Sequence, residues 1–276
     1  MRAHRPALTT VLLAVLVTVL LTASIAGIAV LLRRGTATPR STDASAGARD
    51  QAAAWVTREI GRNARIACEP VMCDALLAHG APSGRLRATA PEGDLPAADI
   101  MVLTAALRGY RSRLDPLRLA AFGRAYARVE VYALAGRLGS TGDPATRRER
   151  GEKLLFSART RIAAPARAPL NGGRVAARLL SALNHATATY RLGIGAFGPP
   201  APGADPRLPI RSADVTTVDG TRVSPGSAAT RTLLGVLRHG PDAANLDLSF
   251  RTDGSGRTVL HVLTRVPVTG APAGVS

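Results

Sequence analysis

Cys68 and Cys73 are the only cysteines in the chain, and they sit close together in the run CEPVMC. Ala64-Arg65-Ile66-Ala67-Cys68 reads as a short buried strand. Glu69-Pro70 then turns the chain into a helix, with Pro70 in the first turn, where a missing N–H costs nothing. A thiol at a strand end and another in the next helical turn bring their Cα atoms within the ~4.4–6.8 Å that a disulfide spans. The pair therefore reads as a structural disulfide, and closing so short a loop contributes about 2 kcal/mol. Three alternatives stand beside it. One is a redox-active pair, although the spacing is not Cys-x-x-Cys. The others are a soft-metal site that includes Met72, and two free buried thiols.

Other residues with chemical potential are weaker signals. Gly193-x-Gly195-x-x-Gly198 matches a dinucleotide fingerprint in letters. That fingerprint needs a helix to begin within the glycines, so that its N-terminus meets the pyrophosphate. Pro199, Pro200 and Pro202 follow at once, so the glycines read as strand packing and a loop exit. His79 and His239 each precede a glycine at an expected helix end, where an imidazolium complements the helix dipole. His185 and His261 stand without a His or Cys at metal spacing. There is no Gly-x-Ser-x-Gly elbow and no phosphate loop, and nothing singles out a pair of carboxylates. No cofactor, metal or catalytic residue is expected from these patterns.

The elements that must position these residues alternate between helix and strand. Ala52, Ala53, Trp55, Val56 and Ile60 share a helical face. The helix after Pro70 carries Val71, Ala75, Leu76 and Leu77 and ends at His79-Gly80, with Gly80 as a left-handed cap. Strands are expected over 85–89, 99–104 and 128–133, the last with one solvated face, and residues 114–122 read as helix followed by strand. The run 136–143 reads as a boundary. After it, Asp143 caps a helix that begins at Pro144. Thr160–Ala163 reads as a short strand, Arg174–Ala188 as an amphipathic helix with Val175, Leu179, Leu180 and Leu183 on one face, and 190–197 and 210–218 as strands. A helix over 227–238, opened by Ser224-Pro225 or by Ser227 and closed by Gly240, precedes a terminal hairpin turning at Asp253–Gly256. The fold class is α/β: an N-terminal transmembrane helix, then two small α/β subdomains (50–135 and 144–268) with mixed sheets and a C-terminal β-hairpin. The last residues, 269–276, read as a disordered tail.

The N-terminus sets the address. The 26 residues Ala7–Leu32 carry no charge and as a helix reach roughly 39 Å, more than the ~30 Å of a bilayer core. Residues 1–34 therefore read as a flank and single-pass membrane anchor. A cleaved secretory signal, whose apolar core is typically ~7–15 residues, is the rival. Arginines flank the span on both sides (Arg2 and Arg5, Arg33 and Arg34), so they do not orient it. The very short N-terminal flank and the cysteine pair point to a plasma-membrane protein with its C-terminal domain outside. Residues 35–49 read as a flexible linker.

The net charge is +17, and of the 36 basic residues only Lys153 is a lysine. Arginines are scattered and are not interleaved with aromatics, so no nucleic-acid partner is expected. Beyond the membrane itself, anionic lipid headgroups, an anionic wall polymer or another envelope protein fit better.

Two stretches resemble known families. Residues 50–133, through AAAWV (52–56), ARIACEP (64–70), ADIMVLTAALR (98–108) and RLAAFGRAYARVEVYAL (118–134), resemble the soluble tail of actinobacterial protein-mannosyltransferase-like glycosyltransferases. The resemblance implies an envelope setting and a fold, and no catalytic residue. Residues 174–215 resemble the core of zinc D,D-peptidases. Asp214 stands where that family has a zinc-binding Asp, but Arg207 replaces its histidine, which implies an inactive, wall-binding relative. Asp205, Arg207, Arg211 and Asp214 are the ligand-facing candidates of this stretch. Taken whole, the chain resembles singly anchored actinobacterial envelope proteins of uncharacterised function. It is expected to be a non-enzymatic binding or accessory module for a wall polymer, a lipid-linked sugar or a protein. The alternative is an enzyme of wall turnover or glycosylation with an active site the motifs do not reveal.

Overall fold

A computed structural model of the protein describes residues 41–114, 117–134 and 142–268. The expected anchor and tail, and most of the expected boundary before Asp143, lie outside the described residues. Among the described residues no helix is long and apolar enough to cross a membrane. The structure is mixed α/β and contains two mixed sheets.

The first sheet has five strands, β1 (Ile66–Cys68), β2 (Leu86–Ala88), β3 (Ile100–Leu103), β4 (Arg118–Phe122) and β5 (Val129–Ala133), in the order β2-β1-β3-β5-β4. β1 runs parallel to β2 and β3, while β5 is antiparallel to β3 and β4. Helices α1 (Ser41–Glu59) and α2 (Pro70–Ala78) contribute Trp55, Val56, Met72 and Leu76 to the core on one face, with Ile66, Val102 and Val131. The other face is closed by Leu107 and Tyr110, packed with Met101 and Tyr132. β5 is therefore buried along its whole length, not solvated on one face as its alternation suggested. The 3₁₀ segment Arg108–Arg113, N-terminal to the helix expected from residue 114, supplies that cover.

Two further expectations are corrected here. α1 begins at Ser41, inside the expected linker, because Ala44, Ala46 and Ala48 are strong helix formers and Ala48 is already buried in the core. On α2, Val71 and Leu77 are exposed, and Met72, Cys73 and Leu76 face inward. The disulfide holds Cys73 against β1, on the inward face with Met72 and Leu76. It joins Cys68 to Cys73 with a Cα separation of 5.5 Å. Gly80 takes φ +85°, the left-handed exit expected of it.

The second sheet comprises β6 (Thr160–Ile162), β7 (Leu192–Phe197), β8 (Ser212–Val218), β10 (Leu246–Thr252) and β11 (Thr258–Thr264), ordered β10-β11-β8-β7-β6, with the short β9 (Thr221–Arg222) paired to β8. Only β6 and β7 pair in parallel; the other contacts are antiparallel. One face packs on α3 (Pro144–Phe156), α4 (Ala164–Asn171), α5 (Ala177–Thr187) and α6 (Ala228–His239) through Leu154, Leu170, Leu179, Leu183 and Leu233. Asp143 caps α3 by accepting the Thr146 N–H, and Ser227 caps α6 from Thr230 in the same way. No element was expected between Ala163 and Arg174, where α4 lies with Pro165 in its first turn and Pro169 inside it. It holds because Ala166 and Leu170 are buried, and Gly151 of α3 lets the Leu170 carbonyl approach.

Residues from Ser45 onward form one compact unit. Polar stitches join the two sheets within it. Arg265 donates to the Thr57 and Ile60 carbonyls and pairs with Asp247 at 2.9 Å. The Gly61 N–H donates to the Val266 carbonyl, and the Ala121 N–H to that of Pro202.

Candidate functional site

The helices cover one face of the second sheet, and strand alternation sends the remaining side chains to the other. Leu192, Ile194, Ala213, Val215, Leu260 and Val262 point to the helical core. Their neighbours, Gly193, Gly195, Asp214, Thr216, Val259 and His261, line a groove on the opposite face. The groove is made of adjoining cavities of about 860, 440 and 390 Å³, which share Gly195, Thr216, Arg257 and Val259 at one junction and Arg251 at the other.

The glycines of β7 make room for the threonine side chains of β8, which pack over them and form the floor with Val259. A Cβ at Gly193 would fall 2.2 Å from Thr217 Oγ1, and one at Gly195 would fall 2.7 Å from Thr216 Cγ2. Gly198 is equally tight, 2.0 Å from Ser212 Oγ. The letters of the dinucleotide fingerprint therefore serve the packing of β7 against β8 and the strand exit.

The largest cavity is ringed by Arg159, Arg161, Arg191, Arg222 and Arg257. Arg161 lies beside Gly193 on the neighbouring strand. Arg222 is presented by the β8–β9 hairpin, whose turn residues Asp219 and Gly220 both have positive φ, 49° and 80°. Asp219 also accepts the backbone N–H of Arg191 at 2.8 Å, which ties that arginine to the turn. The carboxylates of the groove are all engaged by protein donors. Asp253 is held by Ser255 and Arg257, Asp214 by His261 and Arg251, and Glu59 by Arg58 and Arg211. By contrast, the guanidinium groups of Arg161, Arg191 and Arg222 have no hydrogen-bond or ion-pair partner among the described residues. Five arginines against the single carboxylate of Asp219 leave the concave surface in excess positive charge, which focuses a positive potential into it.

The smallest cavity has a different character. Trp55 and the proline-rich loop after β7 wall it, and Arg211, Arg251 and His261 face into it. The Arg211 guanidinium stands 5.7 Å from the centre of the Trp55 ring and 3.0 Å from Glu59 Oε2. Burial lowers the pKa of Arg211, opposed by the charge of Glu59 and its hydrogen bond, and the group stays a cation. At the junction with the next cavity, Asp214 Oδ1 meets His261 Nδ1 at 2.9 Å and Oδ2 meets Arg251 NH2 at 2.5 Å. Burial pushes the Asp214 pKa up, but the hydrogen bonds and charges of His261 and Arg251 outweigh it, and the net shift is downward.

The four candidates named from sequence thus divide. Arg211 and Asp214 reach the groove. Asp205 and Arg207 pair with each other on the proline-rich loop, Arg207 Nε to Asp205 Oδ1 at 2.9 Å, and neither lines the groove. The pairing with Arg207 holds the Asp205 pKa down at about 2. His79 meets Asp50 at 2.7 Å at the end of α2, and His239 pairs through Nδ1 with the Gly235 carbonyl at the end of α6. Among the described residues no group of three or more His, Cys, Asp or Glu side chains is placed to hold a metal ion. Sequence reasoning missed the unpaired arginines altogether, since only the sheet brings Arg161, Arg191 and Arg222 together. It also missed His261 as a partner of Asp214; the alternation of Val259, His261 and Leu263 was the available signal. Comparison of the chain with protein-family models, with curated proteins and with solved structures finds no match.

Proposed function

We propose that this protein is a single-pass, membrane-anchored module of the cell envelope whose extracytoplasmic domain binds an anionic, phosphate-bearing wall polymer along the groove of its second sheet. The observation that carries the reading is the ring of arginines around the 860 Å³ cavity, with Arg161, Arg191 and Arg222 unpaired. Arginine presents a rigid fork of donors that matches phosphate oxygens two at a time. The threonine hydroxyls packed over the β7 glycines supply polar groups beside the arginines, and the adjoining cavities give the groove the extended form that a polymer needs. The uncharged run Ala7–Leu32 supports the anchor, and the disulfide suits an oxidising compartment.

The test is binding of the detergent-solubilised full chain to a fluorescent glycerol-phosphate oligomer, with an uncharged glycan of equal length as the comparison. Saturable binding to the phosphate oligomer alone is expected, weakening as salt rises. Equal binding to both, or to neither, would sink the proposal.

A further inference from the structure

At the far end of the groove, three side chains stand in a row that the binding reading does not use. The register of the antiparallel strands places Ser249 of β10 opposite His261 of β11, and His261 opposite Asp214 of β8. We propose that Ser249, His261 and Asp214 form an acyl-transfer site that hydrolyses carboxylic esters, opening into the 390 Å³ cavity beside Trp55.

The roles follow from the geometry. His261 Nδ1 faces Asp214 on β8, at 2.9 Å, while Arg251 holds the other carboxylate oxygen. The same donors keep the carboxylate ionised, so Nδ1 carries the proton and Nε2 is left with its lone pair. With Nδ1 turned to β8, the shape of the imidazole sends Nε2 the opposite way, toward β10. There it meets no hydrogen-bond partner among the described residues, and neither does the exposed hydroxyl of Ser249. Cβ atoms of directly opposed residues are ~4.5–5.5 Å apart, so hydroxyl and imidazole are neighbours on one face, and a turn about the Ser249 Cα–Cβ bond directs Oγ toward Nε2. Nucleophile, base and a base-orienting carboxylate are the parts that activation of a serine requires. Ser249 and His261 both line the cavity, as does Arg58, which is exposed and gives Glu59 only its Nε, so that its terminal nitrogens can turn to a developing oxyanion.

The chemistry balances with water as the only co-reactant. Ser249 Oγ attacks the ester carbonyl carbon, and its proton passes to His261 Nε2. The tetrahedral adduct expels the alcohol oxygen, which takes that proton and leaves an acyl-serine. Water then attacks the acyl carbon, giving its proton to Nε2. The acid departs, and the proton returns to Ser249 Oγ.

The experiment uses the full chain in detergent with two probes, p-nitrophenyl acetate as substrate and a biotinylated fluorophosphonate as trap. Peptide mass spectrometry is expected to find the phosphonyl group on Ser249, and Ser249→Ala, an exposed position, to abolish the adduct and lower hydrolysis at least ~10-fold. His261→Gln lowers the labelling rate by a similar factor or more. Asp214 acts as a positioning residue. Asp214→Asn lowers kcat, and Asp214→Glu, which keeps a carboxylate for Nδ1, recovers part of the loss. An adduct absent from Ser249, or hydrolysis equal in the wild-type and Ser249→Ala proteins, overturns the proposal. Neither result bears on polymer binding, which the arginines at the other end carry.

Discussion

Removing the charges of Arg161, Arg191 and Arg222 together is the sharpest test of the groove. A triple Arg→Gln variant keeps side-chain length and removes three positive charges from the wall of one cavity. These arginines are exposed, and no intramolecular partner is lost, so folding stability should stay within about 0.5 kcal/mol of the parent. A hydrogen bond to a charged group is worth ~1.5–3 kcal/mol when sheltered. Discounted for solvent exposure to about 1 kcal/mol each, the three contacts amount to about 3 kcal/mol, or roughly 100-fold in affinity. Polyelectrolyte theory adds a second reading, since each lost phosphate contact flattens the slope of log K against log salt by ~0.7–0.9, together about 2. Fluorescence anisotropy with the glycerol-phosphate oligomer at several salt concentrations measures both. The control is a second triple Arg→Gln variant, at Arg124, Arg174 and Arg231, which lie outside the groove and whose side chains also lack a partner among the described residues. It carries the same net charge. If it loses affinity equally, binding follows total charge and the groove has no special role.

Other predictions address the framework. Reducing the Cys68–Cys73 bond, or replacing both residues by Ser, should destabilise the domain by about 2 kcal/mol, measured by urea unfolding with and without reductant. Arg211→Met leaves Glu59 in a buried site with only Arg58 beside it, and should cost about 3 kcal/mol. The double variant with Glu59→Gln should recover most of that loss, and a double variant less stable than either single one would contradict the pairing. The Asp214 pKa is lower folded than unfolded, so its contribution to stability is present above the unfolded value of ~3.9 and is lost as pH falls through the folded one. Asp214→Asn should therefore flatten the acid limb of the stability profile, read from melting temperatures between pH 6 and pH 2. The Asp205 carboxyl should titrate at about 2 by carbon NMR, and Arg207→Gln should return it toward the ordinary carboxylate range.

What could be read from the sequence was what local rules control. Pro70 and Pro144 at helix starts, Asp143 and Ser227 as caps, Gly80 as an exit and the hairpin over β10 and β11 all depend on neighbours within a turn or two. The Cys68–Cys73 bond is local in the same sense. The errors came where a distant segment decides. β5 alternates like a half-solvated strand, yet Tyr110, contributed by a segment about twenty residues upstream, covers its second face. Val71 and Leu77 fit a helical stripe but lose the inward face to Met72 and Leu76 once Cys73 is tied to β1.

The functional face lies at the extreme of this dependence. Strand alternation tells which residues of one strand share a face, but not which strand lies beside it. Arg161 reaches Gly193 only through the parallel pairing of β6 with β7, and Asp214 reaches His261 only through the pairing of β8 with β11. Arg222 joins Arg161 only because the Asp219-Gly220 turn folds β9 back on β8. Composition hid the same feature from the other side, because arginine is the default cation of this chain and a scattered excess reads as solvated surface. What separates the arginines of the groove from the rest is partnership. Arg211 and Arg265 are bound into the joint between the sheets, whereas Arg161, Arg191 and Arg222 have no side-chain partner among the described residues and stand around the cavity. A chain that needed charge for solubility alone would have no reason to collect three cations, without a side-chain partner among the described residues, around one cavity, while each carboxylate of the groove is held by a protein donor.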